Sequence, residues 1–233
     1  MLETVTPRAI LFDFYGTLVD VHTDEQPLAP WQVLASWLSY RSGKFDACVL
    51  RQTYFDAAQR RLDESTEEHP DVDVVAIFAA ILRDGGGDPA DALPAAQLLR
   101  SLTIEHWRVY EESPAVVSAL AERFPLALIS DSQEPYLLPE LRRSGLAEHF
   151  GTIVVSSRYG YRKPDARLFR VALDQLGIAP SEAVYVGNSW ERDVIGARNA
   201  GVRPILIERD HDGGGDGGIE VLRDLRGLLR FAQ

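Results

Sequence analysis

Residues 9–20 read Ala9-Ile10-Leu11-Phe12-Asp13-Phe14-Tyr15-Gly16-Thr17-Leu18-Val19-Asp20. A short apolar run leads into a carboxylate, and Gly16 and Thr17 follow at once. Such a run fits a strand buried on both faces of a parallel sheet, with a functional loop at its carboxyl end. Runs of the same shape recur at Leu126 to Ser130, Thr152 to Ser156, Ala183 to Gly187 and Pro204 to Ile207. Stretches of helical period separate them: Pro114 to Arg123, Pro135 to Ser144, Asp165 to Leu176 and Glu191 to Ala200. Strand alternating with helix predicts an α/β fold, a Rossmann-like parallel sheet with right-handed crossovers.

Between about Val21 and Tyr110 the pattern changes. Trp31, Leu34, Trp37 and Leu38, then Val49, Leu50, Tyr54 and Ala57, recur at helical spacing, and no strand pattern is evident. This predicts a helical cap domain over residues 21–110, inserted into an α/β core made of residues 1–20 and 111–233. Leaving straight after the first strand's loop, the cap should sit over the carboxyl edge of the sheet, where α/β folds place ligands. Gly85-Gly86-Gly87-Asp88-Pro89 should break two of its helices. His211 to Gly218, with five glycines and two aspartates, is expected to be a mobile loop before a last helix from Ile219 to Phe231.

Composition bounds the function. A chain of 233 residues that is 45% hydrophobic can bury a sizeable core. The single cysteine, Cys48, cannot form an internal disulfide, which fits a reducing, cytoplasmic setting. No stretch resembles a signal peptide or a spanning helix. A formal charge of -11 speaks against nucleic acid and anionic membranes as partners, because both require a positive field. A small anionic substrate would therefore need a local positive site.

Four segments would meet at the carboxyl edge of such a sheet: Asp13 to Asp20, Ser130-Asp131-Ser132, Lys163-Pro164-Asp165, and Gly187-Asn188-Ser189-Trp190-Glu191-Arg192-Asp193. A carboxylate fixed at a strand end can be aimed at an electrophile, although a strand-end Asp also serves to cap a turn. Thr17 and Ser130 carry hydroxyls able to donate to an anion, with backbone N–H groups around Tyr15 and Gly16 adding to the cradle. Ser130 reads equally as a helix N-cap. Lys163 would offset repulsion between Asp13 and an anionic substrate, while a loop lysine is more commonly solvated. Asp193, one turn into a helix, is also what the helix dipole favours.

The order and types of these motifs resemble the haloacid dehalogenase superfamily, over nearly the whole chain and including a cap after the first motif. The resemblance implies a hydrolase with Asp13 as nucleophile and Lys163 and Asp193 as further catalytic groups. It places substrate against Tyr15, Gly16, Thr17, Ser130 and Asp131, and a Mg2+ ion against Asp13, the Tyr15 carbonyl, Asn188 and Asp193. Two positions depart from the phosphatases of that superfamily. Tyr15 stands where they carry a second aspartate that acts as general acid and base, and a phenol of pKa near ~10 is a poor substitute. Asn188 stands where they commonly carry aspartate, so the metal would be weakly held. Tyr15 is similar instead to the metal-free 2-haloacid dehalogenases, in which a cap arginine meets the halide, and Arg51 is the analogous residue here. Asp131, however, adds negative charge where that branch binds a carboxylate. Three functions follow: a magnesium-assisted phosphatase of a small phosphorylated metabolite, a metal-free dehalogenase, or a binding protein that has kept the fold.

Overall fold

The computed structural model describes residues 6–209 and 218–232. Its main sheet has six strands in the order β5-β4-β1-β6-β7-β8, every neighbouring pair parallel. These strands are β1 (Ala9–Phe12), β4 (Leu126–Ser130), β5 (Phe150–Val155), β6 (Ala183–Gly187), β7 (Arg203–Ile207) and β8 (Glu220–Leu222). The helices α5 (Ser113–Ala121), α6 (Glu134–Arg143), α7 (Ala166–Leu176) and α8 (Ile195–Asn199) form the crossovers. β1 lies between β4 and β6, with Leu11 in register with both Ala127 and Tyr185. The chain therefore runs outward in opposite directions from β1, and a crevice opens beyond its carboxyl end.

The period of two along a strand divides the core. Ile10 and Phe12 point into one cluster with Leu128, Val186 and Ile205. Ala9 and Leu11 point into the other, with Ile129, Tyr185, Phe169 of α7 and Ala197 of α8. Both clusters are closed to solvent, which is why β1 and β4 are apolar without alternation.

Within residues 21–110 four helices, α1 (Leu28–Arg41), α2 (Ala47–Asp63), α3 (Val74–Asp84) and α4 (Ala92–Thr103), enclose a third cluster. Trp31, Leu34, Leu38, Tyr54, Phe78 and Leu99 form it, joined by Tyr136 from α6. Asp46 and Asp73 cap α2 and α3, each accepting from two backbone N–H groups. The expectation of no strand in this region is corrected: β2 (Val19–Thr23) and β3 (Ile104–Val109) pair antiparallel where the chain leaves the core and returns. The ribbon is short and half-exposed. Its polar face is held by Asp20, which accepts from His106 and Arg108 across the strands, so it lacks the apolar run that marks β1.

The expected last helix is also corrected. Residues 220–222 add a strand to the open edge of β7, and a 3-10 helix follows over Leu225–Ala232. Leu225 and Leu228, three apart, eclipse in such a helix and are both buried. The expected loop at His211 to Gly218 lies, apart from Gly218, outside the described residues. Among the described residues no helix is long and apolar enough to cross a membrane.

Candidate active site

Asp13 is the first residue beyond β1, and its N–H donates to the Val186 carbonyl at 2.9 Å, extending the sheet by one bond. Its carboxylate is thereby fixed at the crevice. The turn that follows needs Gly16, which has φ +80 and whose added Cβ would fall 2.4 Å from the Asn188 amide nitrogen. Gly187 is required for the same reason of space, since a Cβ there would lie 2.4 Å from Asp193 Cγ.

Lys163, delivered by the loop before α7, is buried. Its Nζ donates to Asp13 Oδ1 at 2.8 Å, Asp193 Oδ1 at 2.6 Å and the Tyr185 hydroxyl at 2.9 Å. Three N–H donors thus meet three acceptors, which is what a buried ammonium requires. Burial opposes the charge on Lys163, but Asp13 and Asp193 outweigh it and hold the ammonium well above its ordinary range. Burial lifts Asp13 to about 6 against the pull of Lys163. Burial also acts on Asp193, where Lys163 and the Ser189 N–H prevail and the carboxyl falls below its ordinary value.

Asp193 comes from a π-helical turn, Trp190–Val194, rather than from the regular helix expected over 191–200, and α8 begins only at Ile195. π-turns of this kind are common at functional sites. Its second oxygen accepts from Ser189 N at 2.8 Å. Both oxygens thus accept hydrogen bonds, and Asp193 holds Lys163 and the fourth motif in place.

Thr17, Ser130 and Asp131 surround this cluster. Thr17 Oγ1 lies 3.4 Å from Asp13 Oδ2 and 3.3 Å from Asn188 Oδ1. Asp131 Oδ1 accepts from the Lys163 backbone N–H at 2.9 Å. Ser130 Oγ and Asp131 Oδ2 are buried and have no partner among the described residues. Ser130 caps no helix, since the cap of α6 is Gln133. A buried hydroxyl left free at this edge is available to an anion.

The Asn188 amide places one atom 3.1 Å from the Tyr15 carbonyl and 3.2 Å from Asp13 Oδ2. With the amide oxygen there, it accepts from Thr17 and three oxygens face one another with no hydrogen between them. With the amide turned over, its NH2 donates to both neighbours instead. Oxygens that share a small divalent cation lie roughly 3 Å apart, and the two separations from Asn188 are of that size, so the first arrangement suits such an ion. Among the described residues no three His, Cys, Asp or Glu side chains are grouped to hold a metal. A cation here would rest on one carboxylate and two neutral oxygens.

Two side chains have partners of their own. The Tyr15 hydroxyl donates to Glu140 at 2.9 Å, and its carbonyl lies beside the Asn188 amide. Glu140 also accepts from Arg100 at 2.7 and 3.1 Å and from Trp107 at 3.1 Å. Burial first, then the charge of Glu140, push the phenol far above its usual range. Arg51, on α2, donates to Gln26 at 3.1 Å and lies beside Phe55, and none of these contacts reaches Asp13, Ser130 or Lys163. Tyr185 and Glu140 were missed. The signals were a phenol inside the otherwise apolar run Ala183 to Gly187, and an acid on the apolar face that Leu137 and Leu141 define in α6.

A parallel sheet whose central strand ends on a lysine-paired aspartate, with helices inserted just after it, has the frame of an α/β enzyme that works at its switch point. A protein-family model for haloacid dehalogenase-like hydrolases matches residues 7–201, and the chain belongs to that family of hydrolases. It is 36% identical over 134 residues to a phosphoserine phosphatase of Thermus thermophilus, covering 57% of this chain and 53% of the relative. It is 28% identical to phosphoglycolate phosphatase 1 of Pseudomonas aeruginosa, covering 98% of this chain and 81% of the relative. The chain spans about half the length of several curated relatives it matches. A solved 2-haloacid dehalogenase of Pseudomonas syringae shares the fold, with a TM-score of 0.68, 23% identity and 97% of each chain covered.

Proposed function

We propose that this hydrolase is a magnesium-assisted phosphatase of a small phosphorylated metabolite with a good leaving group, and that residues 21–110 act as its cap. The observation that carries the reading is the oxygen trio of Asp13, Tyr15 and Asn188, which a divalent cation would satisfy. The named phosphatases among its relatives support it.

In this reading the Asp13 carboxylate attacks phosphorus, an O–P bond forms, and the leaving oxygen departs with the pair of the bond it loses. Water then displaces Asp13, giving inorganic phosphate and the free carboxylate. Lys163 offsets repulsion between Asp13 and the incoming anion, and Asp193 and Tyr185 fix its direction. Ser130 Oγ and Thr17 Oγ1 donate to the phosphoryl oxygens. Magnesium, when bound, supplies further positive charge beside the phosphoryl group. Activity towards p-nitrophenyl phosphate should rise with magnesium, saturate weakly and vanish in chelator.

The second reading, a metal-free dehalogenase, is favoured by the other orientation of Asn188, whose NH2 would fill the cation's place by donating to Asp13 and Tyr15. Halide release from an L-2-haloacid in chelator, with no phosphatase activity, would select it.

A further inference from the structure

The two-step reaction leaves one proton without a destination. When water attacks the phosphoryl group on Asp13, the water's O–P bond forms and the Asp13 O–P bond breaks. The electron pair returns to the carboxylate, and one proton of the water must go to a base. Asp13 is the leaving group of this step. Lys163 is held protonated, with all three donors engaged. Asp193 is occupied, its oxygens accepting from Lys163, Tyr185 and the Ser189 N–H. Tyr15 is committed to Glu140, and Glu140 is saturated by Tyr15, Arg100 and Trp107.

We infer that Asp131 is the base that activates the hydrolytic water, through its Oδ2. The Lys163 N–H fixes the rotamer by binding Oδ1 at 2.9 Å. Among the described residues Oδ2 is left buried and unpartnered, beside a Ser130 hydroxyl in the same condition. A buried carboxylate oxygen with no donor is costly, and it is explained if its donor is the water or substrate of the reaction. Burial, partly offset by Lys163, also lifts the Asp131 carboxyl above its ordinary range, which strengthens it as a base near neutrality. The inference rests on the phosphatase reading with Asp13 as nucleophile. It gives a catalytic role to a side chain one position beyond Ser130, in place of the carboxyl that Tyr15 lacks.

The test is rapid-quench kinetics on the magnesium-loaded full chain with p-nitrophenyl phosphate. Asp131→Asn keeps an oxygen for the Lys163 N–H while removing the base. Its steady-state rate should fall about 10²–10⁴-fold. Its first turnover should survive as a burst of close to one p-nitrophenol per enzyme, and the phosphorylated chain should accumulate and be visible by intact mass. A D13N/D131N double variant should show no burst. A merely structural role would lower burst and steady state together; that outcome, or an undiminished rate, overturns the inference. A wild-type enzyme inert towards all phosphate esters overturns the phosphatase reading, and this inference with it.

Discussion

The Lys163 ammonium lies 2.8 Å from Asp13 Oδ1, so the carboxylate proposed to attack substrate is also one third of the coordination that keeps a buried cation satisfied. The remaining two thirds, Asp193 and Tyr185, do not depend on Asp13 being ionised. Asp13→Asn retains an oxygen for the same hydrogen bond and nearly the same shape. We expect it to fold and melt close to wild type while losing nearly all turnover, because an amide does not attack. Retention of most activity, once deamidation has been excluded by mass, would remove the covalent mechanism.

Leaving-group dependence follows from the orientation of Tyr15. With its hydroxyl donated to Glu140 and its pKa pushed far up, the phenol is a weak acid whose proton is directed away from a departing alkoxide. General acid assistance is commonly worth about 10²–10⁴-fold, and that factor should be missing for poor leaving groups. p-Nitrophenyl phosphate and acetyl phosphate should therefore be turned over faster than sugar phosphates. A preference for an alkyl ester would contradict this.

The contact between Arg100 of α4 and Glu140 of α6 joins the inserted helices to the α/β core. Both partners are largely buried, with side chains 13% and 8% exposed. Removing one partner of a buried pair leaves a charge uncompensated and typically costs about 3–5 kcal/mol. Arg100→Met should destabilise the protein by that order in denaturant titration. The double variant Arg100→Met/Glu140→Met should lose less than the sum of the two single changes. Strict additivity would show that the pair acts independently.

These residues also mark how far the sequence could be read. The α/β core was legible because burial on both faces demands unbroken apolar runs, and three of those runs end on motifs that meet at the crevice, Lys163 following the fourth after a loop. Asp13, Lys163, Ser130, Asp131 and Asn188 were legible as strand-end or loop residues. The partners of the Tyr15 hydroxyl and of Arg51, Glu140 and Gln26, were not legible, because residue type says what a side chain is able to bind and not which way its backbone aims it. The ribbon β2 and β3 was missed because a half-exposed two-stranded element carries too few apolar residues to stand out. Tyr185 meets Lys163, 22 residues away, and Glu140 meets Tyr15, 125 residues away, separations that spacing alone cannot register.

Asn188 separates the two proposed chemistries, because its amide faces Asp13 and Tyr15 in either reading but with opposite polarity. If its oxygen faces them, Asn188→Asp adds a charge to a set that already has the separations of a cation's ligands. Magnesium should then bind more tightly, by about tenfold or more if the added charge contributes roughly 1.4 kcal/mol or more. Melting temperature should rise with magnesium more steeply than in wild type, since a ligand that binds only the folded state stabilises it. In chelator the same variant should be less stable than wild type, because two carboxylates then face each other with only the Thr17 hydroxyl to share. If instead the NH2 faces Asp13 and Tyr15, the substitution removes two hydrogen bonds and puts like charges together, so activity in chelator should collapse. Titrating magnesium against melting temperature and rate in both proteins distinguishes the cases. We expect magnesium to stabilise N188D and raise its rate above wild type; full wild-type activity in chelator, lost in N188D and not restored by magnesium, would assign the site to metal-free dehalogenation.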